Sequence, residues 1–166
     1  MKIRNERSGD ADRVHDVTAW AFQDAPHTDH TEQFIVKALR EAGALSVSLV
    51  AEEGGEIVGH VAISPVSVSD GSTGWYGLGP VSVLPEFQRG GIGSRLVETA
   101  LAELEQRGAS GCVVLGDPAY YRRFGFRLVD GLGLPGVPRE YFQAMSFDGN
   151  LARGEVAYHE AFAAQE

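Results

Sequence analysis

The chain has 166 residues, enough for one domain with a sizeable core and too few for two. Apolar residues make up 43% and charged residues 22%, the balance of a globular protein, and no apolar run approaches a membrane span. With 14 Lys and Arg against 23 Asp and Glu the net charge is −9, which argues against nucleic acid or an anionic membrane as a general partner. Met1 to Glu6 carries no signal-peptide core, and the one cysteine, Cys112, has no internal partner, so the expected compartment is the cytoplasm.

Lys2-Ile3-Arg4 alternates as a short first strand. Ser8 is placed to cap a helix running to about Phe22, with Val14, Val17 and Ala21 on one face. A polar break over 23–30 leads to a second helix, apolar at Phe34, Ile35, Ala38 and Leu39, that ends at Gly43. Leu45, Val47, Leu49 and Ala51 alternate with Ser46, Ser48 and Val50, which predicts a half-buried strand. Glu53-Gly54-Gly55-Glu56 then predicts a hairpin turn into a partner spanning Ile57 to Val68, with Gly59 and Pro65 as bulge positions. Asp70-Gly71 turns the chain into a third strand beginning at Trp75. Its Gly79-Pro80 step is expected to bulge or splay, because Pro donates no ladder hydrogen bond.

That strand ends at Val83 and runs through Pro85 into Gln88-Arg89-Gly90-Gly91-Ile92-Gly93-Ser94. From Ile92, apolar residues recur at 96, 97, 100, 101 and 104, so the glycines open an amphipathic helix that closes near Gly108. Without side chains, the first-turn N–H groups lie open at the positive end of the helix dipole, where an anion such as phosphate is favoured. The dinucleotide fingerprint does not fit, since Leu96 stands where its third glycine should be. Nor does a P-loop, because Ser94-Arg95 follows Gly93 in place of Lys-Ser/Thr.

Cys112-Val113-Val114-Leu115 reads as a buried strand parallel to the one ending at Val83, so the glycine-opened helix is a right-handed crossover. Asp117-Pro118 is an N-cap and first-turn pair for a helix of one or two turns closed by Gly125. Loops rich in Gly and Pro occupy 131–138, and strands are expected over Tyr141 to Phe147 and Val156 to His159.

Gln88, Gly91 and Gly93 satisfy Gln/Arg-x-x-Gly-x-Gly/Ala, and Leu115-Gly116-Asp117-Pro118-Ala119-Tyr120-Tyr121-Arg122-Arg123-Phe124-Gly125-Phe126 follows as strand, helix with Tyr, then Gly-Phe. The pair resembles the two signature segments of the GNAT N-acetyltransferase superfamily. The Leu-Gly-Asp-Pro-Ala-Tyr-Tyr wording and the tail Leu134-Pro135-Gly136-Val137-Pro138 are most similar to its YhbS-like subgroup. The resemblance implies an α/β (α+β) fold over residues 1–166 as one N-acetyltransferase domain. Its mixed, mostly antiparallel central sheet would have six to seven strands and about four flanking helices, with a parallel pair splayed at a cofactor cleft. It implies acetyl-CoA as co-substrate and direct acetyl transfer to a primary amine on a small molecule or protein.

In that frame the pantetheine arm pairs with Val81, Ser82 and Val83, and the pyrophosphate rests on Gln88, Arg89, Gly90, Gly91, Ile92, Gly93 and Ser94, with Gly116, Pro118, Tyr120 and Phe124 completing the cofactor site. Main-chain N–H groups at Leu115, Gly116 or the 81–83 strand would polarise the thioester carbonyl. The family's Tyr lies four residues before the glycine of Gly-Phe, which selects Tyr121 as the general acid; the plain alternative is a packed aromatic. Many relatives carry a Glu on the strand before the glycine turn, yet 76–83 holds no acidic residue. The base is therefore left among Glu32, His27, His30 and a water relay. That gap also supports a different class, a non-catalytic acyl-CoA sensor.

His27, Asp29, His30 and Glu32 read as a polar helix start in preference to metal ligands. His60 reads as a wall residue, Glu86 as a turn charge and Cys112 as inert core in preference to a ping-pong thiol. No Gly-x-Ser-x-Gly elbow is present. An exposed edge in the C-terminal strands would allow two chains to pair as a homodimer.

Overall fold

A strand apolar on both faces has to be covered on both, and the central strands here meet that demand. The structure is a computed structural model that describes residues 1–26 and 28–166. Strand β2 (Val47–Glu53) buries Val47, Leu49, Val50 and Ala51 almost completely. The half-buried alternation expected of it therefore fails at Val50, because helices lie on both sides of the sheet. Helix α3 (Ile92–Gln106) covers the face of Gly59, where an added Cβ would stand 3.1 Å from Leu96. Helices α1 (Ala11–Phe22) and α2 (Glu32–Glu41) pack together over the other face.

The start of α1 differs from expectation in detail. A 3-10 turn over Ser8–Asp10 precedes it, and the Asp10 carboxylate accepts the Arg7 N–H at 2.7 Å. Asp10 also pairs with Arg4 at 2.8 Å, which holds its carboxyl below the usual carboxylate range. Ser8 has no capping role because a carboxylate already closes the turn. Helix α2 ends as expected, with Gly43 at φ +67.

Among the described residues, eight strands form the sheet. Strand β1 (Lys2–Asn5) pairs antiparallel with β2, β2 with β3 (Glu56–Val68), and β3 with β4 (Trp75–Val83). Strand β5 (Gly111–Leu115) runs parallel to β4. Beyond β5, β6 (Leu132–Gly133) pairs with β8 (Gly154–Tyr158), β8 extends the far end of β3, and β7 (Phe142–Ser146) flanks β5. The count exceeds the expected six to seven because β6, two residues long, lies inside a stretch that reads as loop. No periodicity can show in two residues. The fourth helix is α4 (Pro118–Arg122).

Two register shifts break the ladders. One falls beside Gly59, where pairing jumps from Ala51↔Gly59 to Glu52↔Ile57 and Val58 is left over. The other falls between Val61↔Val81 and Ile63↔Leu78, which puts the extra residue of β4 at Gly79-Pro80 as expected. Pro65 makes no bulge and pairs regularly with Tyr76. On the parallel side, β4 and β5 match from Trp75↔Gly111 to Leu78↔Val114 and no further. Strand β4 thus continues for five residues past its parallel partner.

Arg127 and Ala144 exchange both backbone hydrogen bonds, 2.9 and 2.8 Å, and so cover part of the outer edge of β7. Among the described residues no helix is long and apolar enough to cross a membrane.

Gly111 supplies the close approach of β4, β5 and β7. A Cβ there would collide with the Trp75 ring and stand 2.7 Å from the Met145 carbonyl oxygen. Gly111→Ala is expected to destabilise the fold by about 1–3 kcal/mol through overpacking, read as a lower urea midpoint at unchanged m-value. An unchanged midpoint would mean the three strands adjust freely at this point.

Candidate active site

Where β5 stops matching it, β4 presents a bare edge. The Leu84 N–H donates to the Val58 carbonyl at 2.9 Å, so strand alternation turns the backbone of Ser82 toward β3 as well. The main-chain groups of Val81 and Val83 then face the open side. Ser82 is 2% exposed and its backbone is committed to the ladder, which leaves it without the exposed pairing role assigned to it. The Val83 carbonyl is already taken by the Gln88 Nε2 at 2.9 Å. Gln88 thus braces the turn with its side chain.

The glycine turn follows. Gly91 is the N-cap of α3 in the left-handed region at φ +84, and Arg89 is also left-handed at φ +69, a conformation that strains a residue with a Cβ. Among the described residues no side chain caps α3, and its first turn holds no acidic residue. The backbone ladder of α3 starts with the Arg95 N–H donating to the Gly91 carbonyl at 3.1 Å, so the N–H groups of Ile92, Gly93 and Ser94 have no partner within the helix. Gly90 and Gly91 are exposed, whereas the Ile92 side chain is in the core, so only its N–H faces the turn.

The second segment docks on the first. The Asp117 carboxylate accepts the Ala119 N–H at 3.0 Å and starts α4. The Tyr120 hydroxyl lies 3.2 Å from Ser94 Oγ, and Arg123 donates to the same Ser94 oxygen at 2.6 Å. The Arg123 guanidinium also lies over the Tyr120 ring, 4.6 Å from its centroid, and Phe124 meets Tyr120 edge-on at 5.3 Å. Gly93 packs beside this contact, where an added Cβ would stand 3.5 Å from the Tyr120 hydroxyl, an ordinary contact distance. Gly93, Ser94, Tyr120 and Phe124, distant in sequence, are therefore one cluster. Pro118 occupies the first turn of α4.

Tyr121 points elsewhere. Its ring covers Gly116, where a Cβ would come within 2.6 Å of Cε2, and packs against Phe126 at 6.0 Å. The Gly116 N–H donates to the Tyr141 carbonyl at 2.9 Å, so it is not free to polarise a thioester as expected. The glycine makes room for the tyrosine. Burial, with smaller contributions from Tyr120 and Asp117, pushes the Tyr121 phenol up to about 12, which keeps it protonated near neutrality.

A cavity of about 800 Å³ opens at the split between β4 and β5. Tyr121, Gly79, Pro80, Val81 and Gly116 line it, and so does Glu32 from the first turn of α2. Glu32 Oε2 accepts from the Thr28 hydroxyl, while Oε1 is shielded from solvent with no partner among the described residues. Of the other base candidates, His30 lines a separate groove with Trp20 and Gln33, and His27 lies outside the described residues. Glu86 lines a third groove, beside Arg13 and Trp20. His60 is fully buried, 2.8 Å from Ser48 Oγ, and burial pushes its imidazole down to about 3. Burial raises the Cys112 thiol, which makes it a poor nucleophile.

Sequence reasoning missed the far wall of the cavity, formed by Phe22, Ile35, Leu134, Val137, Tyr158 and Phe162. Gly77 is bare where the Tyr158 ring crosses β4.

The acetyltransferase (GNAT) family matches residues 12–126. The chain belongs to the GNAT family. This GNAT chain is 34% identical over 169 residues to the uncharacterised N-acetyltransferase YhbS of Escherichia coli K12, covering 98% of each. Among solved structures it superposes on a GNAT acetyltransferase from Brucella melitensis in complex with acetyl-CoA, with a TM-score of 0.87, 48% identity and 97% of each chain covered. It matches YhbS from Escherichia coli in complex with CoA at the same TM-score of 0.87, with 34% identity over 99% of this chain and 93% of that one. The GNAT fold and the YhbS-like resemblance read from the sequence therefore hold.

The raised phenol can be measured. Its folded value lies above the unfolded one, so the stability Tyr121 contributes is complete below pH 10 and fades toward pH 12. At about pH 11, ultraviolet absorbance is expected to count as many phenolates in the wild type as in Tyr121→Phe. One extra phenolate in the wild type would return Tyr121 to an ordinary, solvated phenol.

Proposed function

We propose that this GNAT chain transfers the acetyl group of acetyl-CoA directly to a primary amine. The observation that carries the reading is convergence: the bare edge of β4 opens on one cavity that holds both Tyr121 and Glu32, and α4, which carries Tyr121, is docked on the uncapped start of α3. Exposed Gly90 and Gly91 and a first turn free of acidic residues suit a diphosphate, which the N–H groups of Ile92, Gly93 and Ser94 would hold. Val81 and the Val83 N–H would pair with the amides of the pantetheine arm as an added strand does. Acetyl-CoA supplies the activated acyl group. The complexes of the Brucella melitensis relative with acetyl-CoA and of YhbS with CoA support this choice of ligand.

The chain's own residues would then handle the protons. Glu32, facing the cavity, takes the proton that the attacking amine must lose. Tyr121 holds a proton at its hydroxyl for the departing sulfur, and its raised value keeps that proton in place until negative charge develops there. With the Gly116 N–H committed to the Tyr141 carbonyl, Leu115 and the part of the β4 edge not paired with pantetheine remain of the main-chain donors expected for the carbonyl oxygen. Glu32 supplies the carboxylate missing from β4 and so fills the gap that favoured a non-catalytic sensor. We further take residues 1–166 to be one catalytic domain working in the cytoplasm, where acetyl-CoA is made and used.

Two experiments separate binding from chemistry. Gly91→Asp puts a carboxylate where the diphosphate would sit and is expected to remove acetyl-CoA binding measurable by calorimetry; Gly91→Ala, with the same backbone strain and no charge, loses far less. Equal loss in both variants would point to backbone strain and against an anion site. Tyr121→Phe and Glu32→Gln are each expected to lower kcat by roughly 10²- to 10⁴-fold while acetyl-CoA affinity is preserved. Full turnover in either variant would strip that residue of its role.

A further inference from the structure

The cavity walls say more about the acceptor than the net charge does. Beyond the β4 edge, the cavity is closed by Phe22, Ile35, Leu134, Val137, Tyr158 and Phe162, all apolar or aromatic. Its charged lining among the described residues consists of two carboxylates, Glu32 and Asp117. The Asp117 carboxylate is engaged in starting α4. Glu32 keeps one oxygen buried and unpartnered. No Lys or Arg lines the cavity among the described residues.

These features select a substrate by exclusion and by attraction. An acceptor with a carboxylate or phosphate near its nitrogen would bring an anion beside Glu32 with no cation to pair with, a buried and uncompensated charge. A polyamine would desolvate its second and third ammonium groups against aromatic walls while a single free carboxylate answers the first. An uncharged apolar body loses nothing there and gains from leaving water.

Resting on the proposed acetyl transfer, we infer that the acceptor is a primary monoamine carried on an uncharged, apolar body of about aromatic size. Its nitrogen sits between Glu32 and Tyr121, and its body lies against Tyr158 and Phe162. Those two rings form a fixed aromatic wall: they stack on each other at 4.9 Å between centroids with 29° between planes, and Tyr158 is held over Gly77 of β4. The C-terminal segment, outside both signature segments, is thereby the specificity element.

The test is a steady-state panel with wild-type protein and acetyl-CoA, following release of the CoA thiol. Phenethylamine is compared with phenylalanine, which adds only the α-carboxylate, with spermidine, and with linear alkylamines of increasing length. Phenethylamine is expected to exceed phenylalanine and spermidine in kcat/KM by at least about 100-fold. The alkylamines are expected to improve by roughly three- to fourfold per added methylene until the cavity is filled. Phe162→Ala is expected to reduce the ratio of kcat/KM for phenethylamine over ethylamine by about tenfold. Preference for spermidine or phenylalanine, with turnover intact, overturns the acceptor class and leaves acetyl transfer standing. No turnover of any amine while acetyl-CoA binds in calorimetry overturns the transferase reading and the acceptor class together.

Discussion

The parallel ladder between β4 and β5 ends at Leu78↔Val114, and the site exists because it ends there. The extra residue at Gly79-Pro80 keeps β4 in step with β3 on its antiparallel side. On the other side, Val81 and Val83 are left with main-chain groups that no strand satisfies. An unpaired strand edge inside a sheet is a liability unless something occupies it. Here the edge opens on a cavity, with the uncapped end of α3 beyond it and Tyr121 across from it. A continuous β4–β5 ladder would close the cavity and bury the edge at once.

A chain with net charge −9 is an unpromising host for a polyanion if only long-range fields are considered. The fold answers locally. Main-chain N–H groups at the start of α3 are fixed dipoles that need no side chain, and the helix behind them has 15 residues to align its peptide dipoles. Ser94, Tyr120 and Arg123 then fasten α4 to that same end, so the helix that carries Tyr121 is held against the start of α3. The polar work is confined to a few atoms, and the rest of the cavity stays apolar.

The parts legible in the sequence were those in which a backbone requirement dictates a residue type. Gly91 must be left-handed and Asp117-Pro118 must start a helix; each shows as an identity at a fixed spacing. The splay at Gly79-Pro80 was legible for the same reason, since Pro cannot donate to a ladder. What stayed hidden depends on where distant segments meet. Glu32 and His30 are two residues apart, and only the fold puts one in the cavity and the other in a separate groove. The Gly116 N–H looked free until β7 brought the Tyr141 carbonyl to it. Val50 alternates like an outward residue and is buried because a second layer of helices covers that face. Leu134, Val137, Tyr158 and Phe162 carry no local signal of shared purpose, yet they wall the same space.

Amide hydrogen exchange with and without saturating acetyl-CoA tests the central claim most directly, because it reports on the main-chain N–H groups themselves. The account predicts slowed exchange confined to two stretches, the start of α3 at Ile92, Gly93 and Ser94 and the β4 edge at Val81 and Val83, with Ser82 unchanged. Binding that leaves both stretches exchanging at their free rates, with protection elsewhere, would contradict it.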